Sequence, residues 1–166
     1  MCKEEIILIK MIVSIDLKGG IGKDNDLLFH NKEDMKFFKE TTEHNAVIMG
    51  YNTYLSLGSK PLPNRFNIVL TDKIIEIKKD MATTTDLKGT IDIYNKMNVD
   101  LYVIGGAYVY NQCLQMDLID EVYVTVIKEV VKDADTHIDL NLFKNFNKAE
   151  KIKEISDGVT IWKLSK

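Results

Sequence analysis

The sequence predicts an α/β domain built on a mainly parallel sheet, and two observations carry that prediction. Nearly continuous β-branched apolar runs, "IILIKMIVSI" (6–15), "AVIMG" (46–50), "FNIVLT" (66–71), "LYVIGG" (101–106) and "EVYVTVIK" (121–128), read as strands covered on both faces. Segments of helical period lie between them at 32–42, 52–57, 91–97 and 107–115, so strand and helix alternate. The tail closes with "GVTIWKL" (158–164) after a long polar connection, which suggests an antiparallel C-terminal edge strand.

Taken in order, the first strand runs into "DLKGGIGKDNDLLFH" (16–30), too long and glycine-rich for a plain connection. In the helix that follows, Met35 and Phe38 share one side and Lys32, Lys36, Lys39 and Glu40 the other, with Asn31 as N-cap. Asp34 lies on the apolar side. A carboxylate in a first helical turn is favourable whatever its function, so structural and functional readings both stand at this point. In "IMGYNTY" a strand ends in Gly50 and a short helix carrying Asn52 and Thr53 begins, and "GSKPLPNR" (58–65) holds both prolines. "VIGGAYVYNQ" repeats the strand–glycine–helix arrangement at Gly105-Gly106. Such a turn aims backbone N–H groups and the positive end of a helix dipole at an anion, although any tight strand-to-helix turn needs small residues and the G-x-G-x-x-G pattern is absent. Two such turns at the carboxyl ends of parallel strands favour a nucleotide cleft.

Composition narrows the class. At 166 residues and 45% hydrophobic, the chain suits one globular domain over 1–166. A net charge of −3 spread over both signs argues against a nucleic-acid surface, and no apolar run is long enough to span a bilayer. Cys2 and Cys113 follow no metal-ligand spacing, and Lys3, Glu4 and Glu5 precede only a short apolar run; a cytoplasmic, reducing setting is expected. Of the 22 basic residues one is arginine, Arg65.

In this order, "IVSIDLKGGIGKDNDL", "NKEDMKFFK", "AVIMGYNTYLSLGSKPLPNRFNIVLT", "LYVIGGAYVYNQ" and "VYVTVI" with "DADTHI" resemble the dihydrofolate reductase family over essentially the whole chain. The resemblance implies a single-domain fold with helices on both faces of the sheet and, as activity, reduction of dihydrofolate with hydride from NADPH. A monomer whose partner is its small-molecule substrate is the corresponding expectation. By the same resemblance Asp34 binds the pterin ring and favours its protonated state, supported by Thr125, while Tyr110 places a hydroxyl near the nicotinamide. Ile12, Val13, Phe38 and Ile104 would surround the substrate ring, Arg65 would take the α-carboxylate of the glutamate tail, and Lys60 would assist at the mouth. The implied cofactor contacts are Ser14, Ile21, Gly22, Asn25 and Leu27 on the first strand and its loop, then Gly50, Asn52, Thr53, Thr71 and Asp72. Gly105, Gly106, Ala107, Val109 and Tyr110 complete them, with a cis peptide expected between the two glycines.

Three departures from the family pattern stand out. Leu28-Phe29 replaces the usual Pro-Trp, so an indole N–H is missing. Tyr51 and Tyr108 occupy positions where cations that grip the cofactor's 2′-phosphate are expected, and Asp72 adds negative charge beside them, with Lys73 the nearby cation. Two alternatives compete: the reductase of riboflavin synthesis, disfavoured by "EDMKFF" and Arg65, and a non-catalytic domain, disfavoured by the joint presence of Asp34, Arg65 and Thr125.

Overall fold

The computed structural model describes residues 9–97 and 99–166, so positions 6–8 of the first expected strand lie outside them. In chain order the strands are β1 (Ile9–Ile15), β2 (Gly20–Lys23), β3 (Asp26–Leu27), β4 (Ala46–Gly50), β5 (Phe66–Leu70), β6 (Met81–Thr84), β7 (Leu101–Val103), β8 (Glu121–Ile127), β9 (Thr136–His137), β10 (Lys148–Ser156) and β11 (Val159–Ser165). The helices are α1 (Lys32–Thr42), α2 (Tyr51–Ser56), α3 (Leu87–Lys96) and α4 (Ala107–Gln115).

Eight strands make one sheet in the order β10-β11-β8-β1-β7-β4-β5-β6, parallel from β8 to β6 and antiparallel at β11 and β10. β1 is flanked by β7 and β8, both parallel to it. Its alternation divides the apolar interior: Met11, Val13 and Ile15 join one core cluster, whereas Ile12 joins a second with Val47, Met49, Tyr102 and Ile104. Phe37 and Phe38 of α1 pack against this second cluster, and the Phe37 ring meets Tyr123 edge-on at 5.9 Å between centroids.

Several expectations are corrected. "GVTIWKL" is not the edge strand: β11 lies inside the sheet, and β10, almost wholly exposed, takes the edge with two irregularities in its register. Its "KAEKIKEIS" is too polar to read as a strand, the kind of charged, irregular edge that resists pairing with other chains. β6, in "MATT", has a single fully buried residue and gave no apolar run. α3 begins at Leu87 rather than 91 because the Asp86 side chain caps it by accepting from the Gly89 N–H at 2.9 Å. The 16–30 loop supplies β2 and β3 of a small sheet, β3-β2-β9, whose third strand comes from Thr136–His137. Met35 is 54% exposed; the stripe of α1 facing the sheet is Asp34, Phe37, Phe38 and Thr42, one residue off the expected side.

Candidate active site

Pairing of β1 with β7 stops at Met11 and Val103, whereas β1 stays paired with β8 to Ile15, so the carboxyl end of β1 has no β7 partner. This open end, with the Gly105-Gly106 cis peptide following β7, is the candidate cleft. Asp34 reaches this cleft from the first turn of α1, where the Asn31 side chain accepts from the N–H groups of Glu33 (2.9 Å) and Asp34 (3.1 Å), the expected cap. Both carboxylate oxygens are engaged. Thr125 Oγ1 donates to Oδ1 at 2.6 Å and Ser14 Oγ donates to Oδ2 at 2.5 Å. Ser14 and Thr125 are register partners on β1 and β8, so the two hydroxyls stand side by side on one face. The Thr125 contact was anticipated; that of Ser14, expected among the cofactor contacts, was not.

Ile12, Phe38 and Ile104 line the same side of the sheet as Asp34, but Val13 does not: its side chain belongs to the opposite core, as strand alternation requires. Arg65, 7% exposed, lies at the far end of α1. Its Nε donates to the Pro63 carbonyl (2.9 Å), its Nη1 donates to Thr42 Oγ1 (3.0 Å), and its guanidinium sits 5.9 Å from the Phe38 ring centroid. Burial pulls its pKa down, opposed by the Glu43 carboxylate, and the group stays charged. From Asp34 to Thr42 the helix advances about 12 Å at ~1.5 Å per residue. A carboxylate and a guanidinium therefore stand at opposite ends of α1, with the Phe38 ring beside the guanidinium. Lys60 is exposed, with no ion pair among the described residues.

Tyr110 is fully buried. Its hydroxyl donates to the Ile12 carbonyl at 2.8 Å, tying α4 to β1, and burial pushes its pKa far up, so it remains a neutral donor. Three glycines keep the cleft wall bare. A Cβ on Gly105 would come 3.2 Å from Thr53 Oγ1 and one on Gly50 3.2 Å from Val109 Cγ2, while the Gly50 N–H donates to the Gly105 carbonyl at 2.8 Å. No side chain caps α4, so its first N–H groups, beginning at Ala107, are open to an anion. This bare, uncapped wall fits a pyrophosphate.

The loop residues Asn25 and Leu27 are exposed, Ile21 packs on the core, and buried Gly22 fits closely against Thr136 and Asp26. Asn52 is exposed, and Thr71 Oγ1 accepts from the Lys73 N–H at 3.1 Å. Beside them Lys73 Nζ stands 4.7 Å from the Tyr51 ring centroid, and Asp72 and Tyr108 are exposed. Sequence reasoning missed Asp16, 1% exposed, at the root of this loop. Its Oδ1 accepts from the N–H groups of Lys18 and Gly20 (both 2.8 Å) and its Oδ2 from Val131 (3.0 Å). Burial alone would raise its pKa; the three N–H donors, with a smaller contribution from the nearby His137, more than offset that and hold it below its ordinary value. An aspartate two and four residues before the N–H groups it accepts from was the available signal.

A sequence model of the family described as dihydrofolate reductase matches residues 8–163. The dihydrofolate reductase of Bacillus subtilis is 37% identical over 120 residues, covering 72% of this chain and 69% of that protein. A bifunctional dihydrofolate reductase-thymidylate synthase of Paramecium tetraurelia is 34% identical over 145 residues, 86% of this chain; the chain spans 31% of that longer protein. Among solved structures, dihydrofolate reductase from Enterococcus faecalis complexed with NADP(H) and RAB-propyl superposes with a TM-score of 0.73 at 27% identity, covering 95% of each chain. A family match over nearly the whole length, joined to a cleft with a hydroxyl-held carboxylate at one end and a bare glycine wall at its side, places the chain in the dihydrofolate reductase family.

Proposed function

We propose that the protein reduces 7,8-dihydrofolate to 5,6,7,8-tetrahydrofolate with NADPH, and that Asp34 is the residue around which the substrate is oriented. The observation that carries the assignment of roles is the Asp34 carboxylate, presented to the cleft with one hydroxyl on each oxygen. The nicotinamide supplies the hydride when bound. Asp34, with acceptor positions left over on both oxygens, accepts N–H bonds from the pterin ring and its amino group, and its negative charge favours the ring's protonated state. Ile12, Phe38 and Ile104 hold the ring edge away from water.

Arg65 binds the α-carboxylate of the glutamate tail. Two of its five N–H groups are already given to Pro63 and Thr42, which fixes the guanidinium plane and leaves the others free for a charge-assisted contact. The spacing of roughly 12 Å between Asp34 and the Arg65 end of α1 suits a ligand with a ring at one end and a carboxylate at the other. Gly50, Thr53, Gly105, Gly106 and the α4 amino terminus would hold the cofactor's pyrophosphate, with the 16–30 loop and Val109 beside it. Tyr110 acts through the Ile12 carbonyl it holds.

No helix among the described residues is long and apolar enough to cross a membrane. A monomer acting in the cytoplasm completes the proposal; the Cys113 thiol is buried, and its pKa is pushed up to about 12. The test is direct: purified protein is mixed with dihydrofolate and NADPH, and loss of nicotinamide absorbance is followed with tetrahydrofolate identified as product. Absence of dihydrofolate-dependent oxidation refutes the assignment.

A further inference from the structure

We propose that Ser14 is a positioning residue for Asp34 rather than a cofactor contact; the proposal rests on the reading of Asp34 just given. β1 alternates, so Ile12 and Ser14 share the cleft face while Val13 and Ile15 turn to the opposite core. Ser14 and Thr125 are in register on adjacent parallel strands, and each hydroxyl takes a different oxygen of the same carboxylate. The last torsion of an aspartate is broad, so a carboxylate held by one oxygen swings while one held by both is fixed in its plane. Ser14 has one proton to donate and it goes to Oδ2; among the described residues its side chain makes no other hydrogen bond. An apolar residue at position 14 would leave Oδ2 unheld and the carboxylate free to turn away from the ring.

A residue that works through Asp34 is recognised by a double-mutant cycle. Dihydrofolate affinity is measured by titration calorimetry without cofactor, alongside steady-state kcat and KM, for the parent, Ser14→Ala, Asp34→Asn and the double variant. Ser14→Ala is expected to remain folded with a cooperative denaturant transition like the parent's, and to lose roughly tenfold in both dihydrofolate affinity and kcat/KM for dihydrofolate. Its KM for NADPH should stay within about twofold, and in the Asp34→Asn background the same change should cost less than about twofold. Ser14→Thr, which restores the hydroxyl, should recover most of the loss. An equal loss in both backgrounds, a raised KM for NADPH with dihydrofolate affinity unchanged, or no loss at all each overturns the proposal. A parent that neither binds nor reduces dihydrofolate would overturn the Asp34 reading and this proposal with it; an active parent indifferent to Ser14→Ala overturns the Ser14 role alone.

Discussion

Replacing Asp16 with asparagine should weaken the fold by a definite amount that disappears in acid. The carboxylate accepts two N–H bonds on Oδ1 and one on Oδ2. An asparagine keeps only one acceptor oxygen. The orientation that preserves the Lys18 and Gly20 bonds turns an NH2 group toward the Val131 N–H; the reverse orientation sacrifices two bonds instead of one. The cheaper choice leaves one buried N–H without an acceptor, a cost of about 1–3 kcal/mol. The pH dependence has a determined sign. The folded pKa of Asp16 lies below its ordinary 3.8, so the carboxylate's contribution is fully present above that value and is lost as pH falls through the folded pKa. Urea unfolding of parent and Asp16→Asn at a series of pH values measures the gap between them. It should be constant from neutral pH down to about 4.5 and narrow below the ordinary carboxylate pKa of about 3.9. A gap under ~0.5 kcal/mol at neutral pH, the size of an ordinary surface change, would refute the reasoning, as would one that persists unchanged in acid.

Arg65→Lys should raise KM for dihydrofolate about tenfold with kcat nearly unchanged, because tail binding contributes equally to ground and transition states and lysine cannot form the planar contact; an unchanged KM would remove Arg65 from the site. Tyr110→Phe keeps the packing but removes the hydroxyl that donates to the Ile12 carbonyl, so unfolding free energy should fall by about 1 kcal/mol, and a neutral result by chemical denaturation would contradict the buried bond. At low ionic strength the preference for NADPH over NADH in kcat/KM should be less than about a hundredfold, since Tyr51 and Tyr108 supply no charge-assisted contact of ~1.5–3 kcal/mol to a 2′-phosphate. Lys78, a candidate to fill that gap, instead donates to the Ser59 carbonyl at 2.5 Å, and a preference of several hundredfold would show that Lys73 suffices.

What the sequence made legible follows from where the information was local. The parallel core strands announced themselves as apolar runs, and α1 by its Asn31 cap and its period. β6 and β10 were illegible because an edge strand has a single buried face or none, and "KAEKIKEIS" carries charge where a strand pattern needs apolar residues. The side of α1 that faces the sheet was misjudged by one position because Phe37 and Phe38 are adjacent and Met35 mimicked the stripe. At the site, the family pattern pointed to Asp34, Thr125 and Arg65. That Ser14 and Thr125 hold the same Asp34 carboxylate depends on the register of β1 against β8, which joins two residues far apart in the chain. The same limit hid the Tyr110–Ile12 bond, separated by 98 positions.

The central claim is that Asp34 supplies a charge and not merely a shape. Asp34→Asn preserves the volume, can still accept one hydrogen bond, and leaves the Asn31 cap of α1 intact. Pre-steady-state hydride transfer from NADPH to dihydrofolate at pH 7 is the decisive measurement, because it excludes product release. The account predicts a rate lower by at least about a hundredfold in Asp34→Asn, in the range a positioned acid–base group contributes, with dihydrofolate still bound. A variant whose hydride-transfer rate lies within a few-fold of the parent's would contradict it.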